Sequence, residues 1–166
     1  SGSPLTAEER FSDAREVLDE IEREIRQAIY DLHPSILDGR GLIPALRRYA
    51  RGFRRVSGLP CEVRVKGAPV RLPSAMELGI YRMVEEALQN AAAHGQAQTV
   101  SVTLDFRPTY LWVTVHDDGK GFDCEQVMGT HNADHLGLIS IRERSESFGG
   151  KMDVRSQTGQ GTTVTF

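Results

Sequence analysis

Apolar and polar residues follow more than one period along the chain. Phe11, Ala14, Leu18, Ile21, Ile25, Ala28 and Leu32 recur at alternating spacings of three and four. That is the seam of a bundle or coiled coil, narrower than the face a helix turns to a globular core. Thr6-Ala7-Glu8-Glu9 ahead of it fits a capping box, in which hydroxyl and carboxylate satisfy free backbone donors. Pro34 stops the segment, because the residue before a proline avoids helical backbone. The other positions are crowded with Glu, Asp and Arg. Such a seam needs a partner helix, and the pattern occurs once, so the segment is expected to be half of an interrupted unit.

Beyond Gly39 and Gly41 the pattern predicts a helix from about Leu42 to Val56, then a period-two strand over Cys61–Lys66. Pro73 can open a long helix reaching about His94, with Ile80, Val84, Ala87, Leu88 and Ala91 on its core face. Val100, Val102, Leu104 and Phe106 alternate, as do Leu111, Val113 and Val115, with Arg107-Pro108-Thr109 between them, which reads as a hairpin. A glycine-containing loop leads to a helix over about Gly137–Phe148, ended by Gly149-Gly150. Strands over Lys151–Gln157 and Thr162–Phe166 flank a Thr158-Gly159-Gln160-Gly161 turn. Strands in one sheet and helices on one of its faces make a two-layer α/β sandwich, preceded by one long N-terminal helix.

Composition narrows the class. The chain has 166 residues, room for one domain and a short appendage, and 39% hydrophobic with 26% charged residues excludes a fibrous or wholly disordered chain. No stretch approaches the ~20 apolar residues of a membrane span, and nothing at the start reads as a signal peptide. Ser1-Gly2-Ser3 reads as a cloning scar. Two cysteines, Cys61 and Cys124, are too few for a disulfide framework or zinc site, which fits a reducing, cytoplasmic setting. A net charge of -3 argues against general nucleic-acid affinity. Six arginines and no acidic residue lie between Arg40 and Arg55, which suits a solvated helix face or a docking surface for an acidic partner. Eight of the 16 glycines fall after residue 116.

Four short motifs could carry chemistry. Glu86, Asn90 and His94 are four apart and stack on one helix face, where a carboxylate and an amide one turn apart are hard oxygen ligands suited to magnesium. Glu85 and Gln89 share that spacing on an adjacent face, so spacing alone leaves both pairs open. Asp117-Asp118-Gly119-Lys120-Gly121-Phe122 follows a strand directly; it offers either an acceptor for an exocyclic amine beside closely approachable backbone, or a tight turn. His135-Leu136-Gly137-Leu138 opens a helix whose free amides form an anion site, with Arg142 and Arg144 behind as phosphate donors or partners of Glu143 and Glu146. Gly159-Gln160-Gly161-Thr162 alone is an ordinary hairpin turn.

In this order the motifs resemble the ATP-binding catalytic domain of sensor histidine kinases, within the ATPase group that includes gyrase, the ninety-kilodalton heat-shock chaperone and MutL. Glu86–Asn90 is similar to the N box, Asp117–Phe122 to the first glycine box, Gly137–Arg144 to the second and Gly159–Thr162 to the third. Leu32-His33-Pro34-Ser35-Ile36-Leu37-Asp38 with Gly41-Leu42 resembles the junction after the second dimerisation helix in NarX-, DegS- and DesK-like kinases, and Ile141-Arg142-Glu143-Arg144 with Phe148-Gly149-Gly150 resembles the wording of the same subfamily.

The resemblance implies a Bergerat-type fold, a mixed sheet on about three helices. It implies that residues 4–34 are a remnant of the dimerisation helix and 35–166 the catalytic domain, binding ATP or ADP with Mg2+. Asn90 would help hold the magnesium and Glu86 would position water or metal. Asp117 would accept the adenine amino hydrogen, Gly119 and Gly121 would let base and ribose lie close, and Thr162 would sit near the adenine. Phe122 to Leu136 would form a lid, and Gly137 and Leu138 would face the phosphates. Ala93 stands where the family often has Lys, which leaves His94 either as a replacement phosphate contact or as a core-edge histidine, and Asp134 stands where glycine is frequent. His33 is followed by Pro34 and His116 ends a core strand, so neither suits the phospho-acceptor, which is expected on a missing helix of the dimerisation domain. The intact kinase would be a homodimer passing phosphate to a response regulator. An anti-sigma-factor-type protein-serine kinase and a decayed, nucleotide-free adaptor are the competing readings.

Overall fold

The computed structural model describes residues 37, 39–123 and 136–166. The expected N-terminal helix over 4–34, the junction from Leu32 to Ile36 with Asp38, and most of the expected lid, including Cys124, Asp134 and His135, lie outside the described residues. Helix α1 spans Leu42–Ser57, strand β1 Cys61–Lys66, helix α2 Ser74–His94, and strands β2 and β3 Val100–Phe106 and Leu111–Asp117. Helix α3 spans Leu136–Ser147, and strands β4 and β5 span Asp153–Ser156 and Thr162–Thr165.

The strands form one sheet in the order β1-β2-β3-β5-β4. β1 pairs with β2 in parallel and every other pair is antiparallel, so the sheet is mixed. A parallel pair cannot be joined by a tight turn, and α2 supplies the crossover between β1 and β2. The period-two pattern shows in burial: Val100, Val102, Leu104 and Phe106 face the helices, and Ser101, Thr103 and Asp105 the open side. Leu42, Ala45, Leu46, Ala50 and Phe53 of α1 are buried, as are Ile80, Val84, Ala87, Leu88 and Ala91 of α2. Leu46, Val84, Leu88, Val102, Leu104, Val113 and Ile141 form the most enclosed part of the core. The two-layer sandwich with three described helices is the architecture the patterns predict.

The differences lie at element ends. β3 runs one residue past the expected end at His116, because Asp117 pairs with Thr162 of β5. β4 is shorter than the predicted Lys151–Gln157, since β5 offers only four residues to pair with it. The end of α3 is closed by Gly149 at φ +74, with the Gly149 and Gly150 amides donating to the carbonyls of Glu146 and Ser145. Phe148, just beyond, lies on Gly79 of α2, where an added Cβ would collide with its ring.

One buried carboxylate at the far end of the sandwich was not singled out by the sequence pattern. Glu77 of α2 is 2% exposed; its Oε1 accepts the Leu72 amide at 3.3 Å and lies 3.4 Å from Arg71 Nε. Its Oε2 has no hydrogen-bond partner. It stands near Gly41, the residue before α1, at whose φ of +92 a Cβ would lie 3.6 Å from Oε2. A carboxylate near a helix N-terminus is favoured by the aligned peptide dipoles.

Candidate functional site

A cavity of about 290 Å³ opens between α2, the end of β3 with the loop after it, the start of α3, and β5. Of the residues expected in the site, Asn90, His94, Asp117, Gly121, Phe122, Leu138 and Thr162 line it. Glu86, Gly119 and Gly137 are not part of the lining, although Gly119 approaches Asp117 and Gly95, and Gly137 approaches Glu86 and Asn90. A Cβ on Gly137 would come within 2.8 Å of Asn90 Nδ2 and 3.2 Å of its Oδ1, and would collide with Glu86 Oε1. The start of α3 thus packs against the two polar residues of α2, and a larger residue at 137 would make their side chains shift.

This packing separates the two pairs that spacing left open. Glu85 turns to Arg82, whose Nη1 donates to its Oε2 at 2.6 Å, and Gln89 hydrogen-bonds Tyr49 of α1. Both are engaged on the α1 side. Glu86 and Asn90 face the start of α3, and Asn90 also lines the cavity.

Asp117 is the buried acceptor of the cavity, only 7% exposed at the end of β3. Burial pushes its carboxyl above the ordinary range, and backbone N–H groups of Gly119 and Thr162 pull it partly back. The Gly119 amide donates to Oδ1 at 2.9 Å. Its neighbour Asp118 does a different job on the outside: Oδ1 accepts the Gln98 and Thr99 amides at 2.8 and 2.9 Å, and Oδ2 the Thr99 hydroxyl at 2.8 Å. Those bonds hold its carboxyl below the ordinary range and pin the α2–β2 connection to the glycine loop.

Close backbone contacts hold the loop in place. The Lys120 amide donates to the Gly95 carbonyl, and the Gly159 amide to the Lys120 carbonyl, each at 2.6 Å. Gly121, at φ +58, abuts the carbonyls of Gln157 and Gly161, and Gly161, at φ +78, abuts the Asp117 carbonyl and the Asp118 Cα. One hydroxyl joins the two segments. Ser156 Oγ accepts the Phe122 amide at 2.8 Å, donates to the Gly161 carbonyl at 3.0 Å, and lies 3.0 Å from Thr162 Oγ1.

Sequence reasoning did not name Ala87, Ala91, Gly95, Val115, Lys120 and Val164 as part of this lining. Ala87 and Ala91 read only as core, although their place one turn apart beside Asn90 was a signal. Lys120 sits between the two glycines already singled out, and its cation was the available clue. His116 lies on the open face of the sheet, its Nδ1 2.9 Å from Thr163 Oγ1, as its strand position predicts.

Residues 75–166 match the family model described as histidine kinase-, DNA gyrase B-, and HSP90-like ATPase. The chain is 34% identical over 153 residues to the signal transduction histidine-protein kinase/phosphatase DegS of Brevibacillus brevis, across 92% of this chain and 38% of that protein. It is 32% identical to the sensor histidine kinase LiaS of Bacillus subtilis, across 87% of this chain and 39% of that protein. Among solved structures it is similar to the histidine kinase domain of the Erythrobacter litoralis EL346 blue-light activated histidine kinase. That likeness has a TM-score of 0.61 and 26% identity, covering 75% of this chain and 63% of that one. The chain therefore belongs to the histidine kinase-, gyrase B- and HSP90-like ATPase family. Within it, this is an ATP-binding domain of the sensor-kinase type, and it spans about two fifths of the length of the curated relatives it matches.

Proposed function

We propose that the chain is the nucleotide-binding catalytic part of a sensor histidine kinase, carrying a remnant of the dimerisation helix over 4–34 ahead of the catalytic domain over 35–166. The observation that carries this reading is Asp117, a buried carboxylate at the wall of a cavity whose opposite side holds Asn90 against a glycine-led helix start. Asp117 accepts the amino hydrogen of adenine, and Gly119 and Gly121 let base and ribose approach the backbone. The cavity volume sits at the low end for small-molecule sites and suits a nucleoside, with phosphates running toward Asn90, His94, Gly137 and Leu138.

Magnesium fits as a companion of the phosphates. Among the described residues no group of three His, Cys, Asp or Glu could hold a metal ion alone. Asn90, with Glu86 beside it, offers the one or two oxygen ligands that suffice when substrate phosphates complete the shell. The metal would neutralise charge developing on the transferred phosphoryl group. Asn90, with Glu86 beside it, would hold it, and the start of α3 would present backbone amides to the phosphates. In the intact kinase, a homodimer, the γ-phosphate passes to a histidine on the other dimerisation helix and then to a response regulator in the cytoplasm. No described helix is long and apolar enough to cross a membrane.

Calorimetric titration of the chain with ADP and ATP, with and without magnesium, tests the reading. Binding strengthened by magnesium is expected. No measurable binding at millimolar nucleotide would overturn it in favour of a decayed site.

A further inference from the structure

Helix α1 has two unlike sides. Its buried residues, Leu42, Ala45, Leu46, Ala50 and Phe53, occupy one side, and Arg47, Arg48, Arg51, Arg54 and Arg55 are all exposed on the other. At about 100° per residue the five arginines fall within an arc of roughly 120°. The helix contains no Asp or Glu, in a chain whose net charge is -3. Arg47, Arg51, Arg54 and Arg55 have no ion-pair partner among the described residues. Repulsion among close like charges disfavours such a stripe unless something of opposite sign meets it.

Beside the stripe lies an open groove of about 910 Å³ between α1 and the last turns of α2. Tyr49, Phe53, Val56, Ala92 and Ala93 give it apolar walls, with Arg55 and Gln89 at the rim. Val56 is 91% exposed, an apolar side chain left in water at the mouth of the groove. The groove uses the Gln89–Ala93 side of α2, whereas Asn90 and His94 line the nucleotide cavity, so an occupant need not displace nucleotide.

The geometry points to α1 and this groove as a docking surface for an acidic amphipathic helix of a partner protein. Charge complementarity requires an anionic partner, and the concave apolar floor decides its kind. A lipid surface is flat and a nucleic-acid backbone has nothing apolar to fill the groove. A helix with one acidic and one aliphatic face meets both features, in the groove-binding mode such helices use.

The test titrates the whole chain with a labelled helical peptide of about 18 residues, Glu on one face and Leu on the other. A peptide of equal charge without the Leu face and phosphatidylcholine vesicles containing phosphatidylglycerol run alongside. The amphipathic peptide is expected to bind best, and less tightly as salt rises. Arg51→Glu with Arg55→Glu should weaken it about tenfold or more. Ala92→Trp, which fills the groove, should do the same, and ADP binding should stay unchanged in both variants. Unchanged peptide binding in either variant overturns the surface assignment. Equal or tighter binding of the Leu-free peptide or the vesicles overturns the helix as occupant. Because ADP binding is read separately, failure here is distinguishable from failure of the nucleotide reading.

Discussion

Two buried carboxylates stand at opposite ends of this sandwich, and their surroundings differ. Glu77 is held by the Leu72 amide and lies beside the Arg71 guanidinium, close to Gly41 at the start of α1. Asp117 meets backbone N–H groups, and its side chain borders an open cavity. Both are approached closely by a glycine, so neither burial nor glycine proximity distinguishes a site from a support. The difference is what lies on the other side of the carboxylate. Glu77 joins two segments of the fold, whereas Asp117 keeps acceptor capacity facing a space that a ligand can enter.

The sharpest way to break the comparison is Asp117→Asn. ADP affinity should fall by about tenfold to a hundredfold, the range expected for a lost charged acceptor. Stability should hold or rise. A carboxyl whose folded pKa is raised binds its proton more tightly in the native state, so ionising it weakens the fold as pH climbs above the ordinary carboxylate range. The Asn variant should lack that decline. Calorimetry with ADP and thermal melts across that pH range check both halves, and normal ADP affinity would refute the adenine contact.

Gly137→Ala comes next. Its methyl would crowd Glu86 and Asn90, so magnesium-dependent ADP binding should weaken about tenfold while melting changes little. Glu77→Ala should show the reverse, losing about 2 kcal/mol in denaturant unfolding with nucleotide affinity of the folded protein retained. A loss of affinity matching that of Asp117→Asn would abolish the distinction. Gln96 is the one described non-glycine residue at positive φ, +50, just past α2. Gln96→Gly should therefore stabilise by about 0.5 kcal/mol, read in the same unfolding experiment. The smallest effect concerns Cys61, whose thiol burial pushes up to about 11. In a Cys124→Ser background it should react with a disulfide reagent at neutral pH far more slowly than free cysteine.

Much of this was legible because it is local. The alternation of Val100 to Phe106 fixes a strand and its inward face, and the stripe from Ile80 to Ala91 fixes how α2 lies on the sheet. The site residues were legible as motifs, but their convergence was not. Nothing in the spacing of Glu86, Asn90 and Gly137 says that a glycine some 50 residues on fits between the other two. The same holds for Ser156, an ordinary strand serine until Phe122 and Gly161 are brought to it. Glu77 carried a faint signal, a carboxylate on the stripe that continues through Tyr81, Val84 and Leu88, and helical periodicity alone does not say what satisfies it.

The interlock of the two glycine loops bears on how this domain can be re-engineered. Gly121 leaves room for the carbonyls of Gln157 and Gly161, and Gly161 for the backbone of Asp117 and Asp118. Neither loop can change its backbone path unless the other follows. A chimera that imports residues 117–122 from a relative should therefore import 156–162 with them. In the phylogeny of such proteins the two segments should be inherited as one module, although some 30 residues separate them.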